Sequence, residues 1–466
     1  MKKIKRLLVS SAFILAALVA FQACTKRDAP LSDNEVKFET NQQGIGGNES
    51  SINIKLKLNR AADRDISVLV TMQPTAGVEY GTDFTTLPAP SGDTIRVNIL
   101  SGSSEGIINL TKAPGALFYD NDKLVFRIIS STSPVIIGTL NHFTLSFTEI
   151  ISSGGSITAN GGGATYGNKV FFDLSANNNT PVVRTSWDLG FYSGAEWRVI
   201  LNSSSAMMAR QINKNDLTQV TATDTLGFSS EVFFSQVAPM TTALPYIDYP
   251  DGDLSRTAIA EVAANDADNK VYIVNRGLGI GIPAPQRGWK KVRILRSSTG
   301  GYILQHADIA STTFTTVEIG KNTAYNFNYV SFENGLVPVE PEKDKWDIAW
   351  TYFSNVTNFG GGEVPYLFQD FIIQNRNVQT AKVMTATKAY DAFTLADVAS
   401  ITFSSAQNGI GADWRSGGGP TSGPAVREDR YYIIKDGDNN HYKLKFTAMT
   451  QAGERGYPAF TFELLQ

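Results

Sequence analysis

From residue 51 the chain places an apolar side chain at every second position. In "SINIKLKL" Ile52, Ile54, Leu56 and Leu58 alternate with Asn53, Lys55 and Lys57, which predicts a strand with one apolar and one wet face. Ile66, Val68 and Val70 of "DISVLVTM" keep the same step, "LVFRIIS" and "FTLSFTEI" supply later strands, and turn clusters such as "PTAGVEYGTDF" separate them. Residues 35–151 carry this alternation without a helical period and are expected to form an Ig-like β-sandwich. The Gly/Ser-rich run "SSGGSITANGGGATYG" (152–167) then predicts a linker or domain boundary.

Beyond that break the pattern repeats. "SWDLGF" (186–191) and "KWDIAW" (345–350) begin alike, and each runs into an Asn-bearing turn, "LNSSS" or "NVTNFGGG". Trp187 and Trp346 are offset by 346 - 187 = 159, and "NKVYIVNRG" (269–277) matches "DRYYIIKDG" (429–437) at 160. Each copy continues with a basic strand, "GWKKVRIL" or "NHYKLKFT", and an aromatic strand, "TTFTTVEI" (312–319) or "PAFTFELL" (458–465). Upstream of each Trp-Asp stands a hairpin pattern, "NKVFFDLSANNNTPVV" or "YNFNYVSFENGLVPVE", the second with the Asn-Gly that tight turns favour. The order of signals predicts two copies of one β module, 157–319 and 320–466. Within "WDIAW", Trp346, Ile348 and Trp350 should share one face and Asp347 and Ala349 the other. Asp188 and Asp347 could be catalytic acids or acceptors for backbone amides at a strand start; no His, nucleophile or paired carboxylate recurs with them, which favours the second reading.

The N-terminus changes the picture of compartment. Lys2, Lys3, Lys5 and Arg6 precede an apolar run from Leu7 to Ala20, and Ala23 precedes Cys24, the single cysteine. Residues 1–23 therefore read as a lipoprotein signal peptide, Cys24 as the lipidated residue and 24–34 as a tether, so that the protein would sit on the outer membrane through its acyl chains. No disulfide is available to the body. A formal net charge of -3 and the lack of a basic run argue against a nucleic-acid partner.

The first domain's "VKFET", "SINIKLKLNRAADRDISVLV", "GVEYGTDFTTLP" and "DNDKLVFRIIS" resemble a Calx-beta module. The resemblance implies calcium held by end-loop acids, for which Glu49, Asp83, Asp120 and Asp122 are the candidates here. The family's acidic loop is reduced to "YDNDK", and calcium takes six or more oxygen ligands, so solvated loop acids are the alternative and calcium is not expected.

Both later copies resemble the HmuY family of exported Bacteroidetes lipoproteins, on "YVSFENGLVPV…KWDIAW…VTNFGGG…DRYYIIKDGDNNHYKLKFTAM" and "VFFDLSANNNTPVV…SWDLGF…NKVYIVNRG…WKKVRIL". Since its founding members are haemophores, the resemblance implies an all-β, non-enzymatic binding protein with a cleft, a haem or other hydrophobic ligand, and an outer-membrane receptor as partner. Haem iron would need two axial His or Met side chains. His142, His306 and His441 fall outside the ligand segment, and "WRSGGGPTSGP" (414–424) has neither residue type. Met207, Met240 and Met384 remain, with Met207 and Met240 as the pair; gap-filling core is the alternative for each. A second functional reading is an adhesion lipoprotein that stacks glycans on Trp197, Trp289 and Trp414 or docks a protein. A hydrolase has no support, because no His-carboxylate-nucleophile set recurs and "GLGIGIPAPQ" runs into prolines.

Overall fold

The computed structural model describes residues 33–46, 49–118, 122–147, 152–226, 231–235, 237–417 and 423–465. The signal peptide, Cys24 and Asp120 lie outside the described residues. The described chain is all-β, with short 3-10 turns between strands.

The N-terminal alternation forms two five-stranded sheets packed face to face. One runs in the order Phe84–Leu87, Glu105–Lys112, Ser51–Leu58, Glu35–Phe38, Ile136–Ile137. The other runs Gln42–Gly44, His142–Ser146, Lys123–Ser131, Ile66–Pro74, Thr94–Ile99. Ile54, Leu56 and Leu58 point into the common core with Val68, Val70, Phe126 and Phe143, as their period of two requires. Ile52, at the strand's end, only packs against its margin.

The rest of the chain divides where the repeat did not predict. Four sheets of four or five strands follow, with a two-stranded ribbon of Arg415–Ser416 and Ala425–Val426, and the pairing of the four groups them into two units. The inner unit is contiguous: Leu189–Tyr192 and Val199–Leu201 pair with Phe327–Ser331 and Gly335–Val337. Beside them lies the sheet Met208–Ile212, Val271–Asn275, Trp289–Arg296, Tyr302–Asp308, Thr315–Ile319. The outer unit is interrupted: the hairpin Asn168–Asp173 and Asn178–Val183 pairs with Ile348–Asn358 and Glu363–Gln374, Val170 lying opposite Trp350. Its second sheet runs Gly154–Thr158, Glu454–Leu464, His441–Gln451, Arg430–Lys435, Gln379–Met384.

Strand pairing crosses the expected boundary at 319/320: Leu189–Tyr192 pairs with Phe327–Ser331, and Thr315–Ile319 pairs with Tyr302–Asp308 inside the same stretch, about residues 187 to 340. The hairpin upstream of each Trp-Asp strand pairs with the other Trp-Asp strand, because an unpaired hairpin edge accepts either strand and the chain's path decides. The Gly/Ser-rich run, expected as a linker or domain boundary, contributes Gly154–Thr158, an edge strand zipped to Glu454–Leu464. It holds the sheet position in the outer unit that Thr315–Ile319 holds in the inner one. Its glycines are needed for close approach, as a Cβ on Gly161 would lie 2.1 Å from Trp350 Cζ3.

Where the chain crosses from the outer unit into the inner one, buried Arg184 ties both together. Its guanidinium donates to the carbonyls of Tyr166, Ser204 and Gly279, each at 2.8 Å. Between the two hairpin sheets, Phe171, Trp187, Phe327, Tyr329, Trp346 and Phe371 belong to one apolar core. The N-terminal sandwich meets this body through polar contacts, such as Asn177 Nδ2 donating to Glu39 Oε2 at 3.0 Å and Gln43 Nε2 to the Ala176 carbonyl at 3.2 Å.

Candidate functional site

The two Trp-Asp strands build like corners on opposite sides of that core. The ring of Trp187 meets Tyr329 edge-on at 4.7 Å and 77°, and that of Trp346 meets Phe171 at 5.0 Å and 79°. Asp188 donates its N–H to the Val330 carbonyl and accepts the Phe332 N–H at 2.9 Å; Asp347 donates to Phe172 and accepts the Leu174 N–H at 2.8 Å. Both carboxylates thus hold backbone amides of the crossing hairpin. Asn202 Nδ2 donates to the carbonyls of Arg184 and Trp187, and Asn375 does the same for Lys343 and Trp346. The structural counterpart of Asn202 is therefore Asn375, not the turn "NVTNFGGG", which caps a longer hairpin. Trp346 also departs from expectation: it packs with Ala349 into the core between the units, while Ile348 and Trp350 face the opposite core, because the strand begins only at Ile348.

The two corners differ in charge. Asp188 is fully buried and lies against Arg276 at 3.0 and 3.1 Å and Arg287 at 2.8 Å. In the outer unit Asp436 stands where Arg276 would be, and burial together with Asp173 and Asp436 holds the Asp347 carboxyl well above the usual carboxylate range. One corner sets two guanidinium groups against its carboxylate, and the other gathers further acids around its carboxyl.

Beside these corners, walls from both units line a narrow cleft, partly open to solvent, with about 70 Å³ of space that water can enter. Trp187, Phe327, Tyr329, Trp346 and Phe353 form apolar walls, and Lys169, Glu340 and Asp248 bring ionisable groups to them. Lys169 is buried; its ammonium lies 4.6 Å from the Phe171 ring centroid and 6.0 Å from that of Trp346. No hydrogen-bond acceptor meets it among the described residues. Burial lowers its pKa to about 8, a shift that Glu340 partly offsets. The Glu340 carboxyl accepts the Phe327 N–H at 2.8 Å and the Tyr329 hydroxyl at 3.0 Å, and burial raises it to about 7. Asp248, pushed to about 7 by desolvation, accepts the N–H groups of Leu201 at 2.6 Å and Ala258 at 2.9 Å. Aromatic walls and a few placed polar groups are features of a small-molecule site.

A family model described as HmuY protein matches residues 165–462. The chain belongs to the HmuY family. No curated protein matches it. The solved structures to which this HmuY chain is similar include the apo-form Calx CBD1 domain, with 14% identity, TM-score 0.21, 25% of this chain and 97% of that one covered. They also include a protein of unknown function from Bacteroides ovatus, at 6% identity, TM-score 0.19 and coverage of 94% and 95%. A two-domain protein of unknown function from Bacteroides fragilis NCTC 9343 is similar at 11% identity, TM-score 0.19 and coverage of 65% and 91%.

The methionines of this HmuY chain stand elsewhere than the cleft. Met207 is buried in the core beneath Leu189, whereas Met208 turns to the core that receives Ala243, in the helical turn after Met240. Met240 is 37% exposed, and Met384 is half-buried at the end of the outer edge strand. None of the three lines the cleft. His306 is buried against Phe332, and His441 packs beside Phe403. In the first domain Glu49 accepts the Gly46 N–H and Asp83 the Glu79 N–H, each at 2.8 Å, and Asp122 is also engaged. No group of three or more His, Cys, Asp or Glu among the described residues could hold a metal.

Of the tryptophans considered for glycan stacking, Trp414 is ruled out by burial, while Trp197 and Trp289 stay partly exposed. Trp414 is fully buried and stacks on Phe446 at 4.3 Å; Trp197 carries Arg296 at 4.1 Å and Lys321 at 3.8 Å on its ring; Trp289 packs against a core. The sequence did not single out Lys169, Glu340 or Asp248. Lys169 and Glu340 sit at opposite ends of the two hairpin patterns, and a buried Lys inside "NKVFFD" was the available signal.

Proposed function

We propose that this is an exported, non-enzymatic binding lipoprotein of the HmuY type, held to the outer membrane through acylated Cys24, that takes a small organic ligand in the cleft between its two units. The aromatic cleft that closes on buried Lys169 carries this reading. We read the two units as copies of one module joined in exchanged order, since their Trp, Asp and Asn corners make the same contacts. The Calx-beta-like first domain is then the spacer between lipid and cleft.

Haemophores among HmuY proteins make haem or a related tetrapyrrole the first ligand to test. The residues present do not fit haem-iron ligation at the cleft. Its wall has no His, Met or Cys; Tyr329 is bonded to Glu340 with its phenol pushed up by burial, and Tyr249 lies under Arg256 at 3.2 Å. A tetrapyrrole would therefore be held by its ring and edges.

Titration with hemin and with iron-free protoporphyrin, followed by absorbance and tryptophan fluorescence, tests this. Comparable quenching by both is expected. Binding of hemin alone, with a Soret shift lost in Met207→Ala or Met240→Ala, would restore iron ligation. Glycan-array signal without small-molecule binding would favour adhesion. Metabolic palmitate labelling that survives Cys24→Ala would remove the anchor.

A further inference from the structure

We propose that the cleft selects a planar aromatic carboxylate, whose anionic group bonds to Lys169 while its ring lies on the aromatic wall; this rests on the cleft being the ligand site. The hydrogen-bond inventory of the wall points to it. The two buried carboxyls there are engaged: Glu340 holds two donors and Asp248 two amides. Gln374 Nε2 donates to the Val378 and Ser404 carbonyls, and Arg376 Nη1 to the Gly252 carbonyl. The ungratified groups are donors. Lys169 Nζ makes no hydrogen bond to the described residues, and the buried unpaired donors of this wall are the indole N–H groups of Trp187 and Trp346. A buried donor left unpaired is costly, so a ligand that brings acceptors gains more than one that brings donors.

An acceptor-only group with negative charge answers this inventory better than a hydroxyl, which carries a donor of its own, or an amine, which adds a cation beside Lys169. The aromatic half of the ligand follows from Trp187, Phe327, Tyr329, Trp346 and Phe353, whose faces and edges favour a flat ring over a branched aliphatic one. Such a carboxylate could belong to a free aromatic acid or to a tetrapyrrole side chain, and the two sources are separated by the probes.

The test uses 2-naphthoate, 2-naphthylmethanol and 2-naphthylmethylamine as matched probes on the full chain, by calorimetry and tryptophan quenching. Protoporphyrin against its dimethyl ester forms the second arm. Naphthoate is expected to bind at least ten-fold tighter than the alcohol, and the amine weakest. Lys169→Met should abolish the acid-over-alcohol preference while leaving alcohol binding, and Lys169→Arg should retain it. A preference for protoporphyrin over its ester without one for naphthoate assigns the carboxylate to the tetrapyrrole. Equal binding of acid and alcohol, with no ester effect, overturns the proposal and leaves the cleft standing; a preference that survives in Lys169→Met, with urea unfolding showing that variant folded, also overturns it. Quenching by none of the probes overturns the cleft and the proposal together.

Discussion

The two Trp-Asp corners allow one motif to be tested against itself. Asp188→Asn and Asp347→Asn make the same chemical change at fully or nearly buried carboxyls, each holding one backbone amide. At Asp188 the change strips the counter-charge from Arg276 and Arg287, leaving half-exposed Glu333 as the remaining acid on Arg276. Breaking a buried ion pair from one side costs about 3–5 kcal/mol. At Asp347 no cation hydrogen-bonds the carboxyl among the described residues, and burial with Asp173 and Asp436 nearby raises its pKa well above the usual carboxylate range. Asparagine keeps the acceptor for Leu174, so the cost should stay within about 0–1.5 kcal/mol. Urea unfolding at pH 7 should therefore separate the variants by roughly 3 kcal/mol, or about 1 M in midpoint for a slope near 3 kcal/mol/M. The pH profile gives a second readout. A carboxyl with a raised folded pKa contributes stability that is complete below its unfolded pKa near 3.8 and is lost as pH rises through the folded value. Asp347→Asn should lack that loss and gain on the parent as pH rises above about 4. Equal costs for the two variants, or an unchanged pH profile in Asp347→Asn, would refute the charge assignment.

Further outcomes follow from single sites. Gly277→Ala should destabilise the fold by more than about 3 kcal/mol, because φ is +68° and the new Cβ would meet the Ser205 carbonyl oxygen at 1.9 Å. Its sequence counterpart Gly437→Ala should cost less than about 1 kcal/mol, since the obstacle is the movable Asn377 side chain; chemical denaturation compares them. Met207→Ala should cost about 2–5 kcal/mol as a core truncation, and Met240→Ala under about 1 kcal/mol, both read from melting curves. Glu340 and Asp248, with folded pKa values of about 7, favour the fold fully below about pH 4 and lose that contribution as pH rises to 7. Lys169, lowered to about 8, costs stability as pH falls through 8, so urea midpoints should pass through a minimum between pH 7 and pH 8 whose alkaline rise Lys169→Met removes.

Much of the fold was legible because strands announce themselves locally. The period of two at Ile54, Leu56 and Leu58 names a buried face without knowledge of its partner sheet. The recurring Trp-Asp announced two like corners, and the lack of accompanying His or nucleophile pointed Asp188 and Asp347 towards backbone amides. The site was far less legible. Lys169 reads as one polar residue in a hairpin, and only the approach of Glu340, Phe171 and Trp346 makes it a buried cation without an acceptor. The surroundings of the methionines were hidden for a related reason: proximity in sequence, as between Met207 and Met208, says nothing about which core each side chain enters.

The amino-acid order alone determined that this chain is built from paired strands, that two segments share a corner motif, and that the family framework covers the region after the first sandwich. Tertiary structure decided which hairpin completes which unit. A hairpin edge offers the same row of amides and carbonyls to either Trp-Asp strand, so local chemistry is indifferent between them. Only the path of the backbone and the burial of Phe171 against Trp346 and Tyr329 against Trp187 break the tie, and the cleft exists because they break it across the two units.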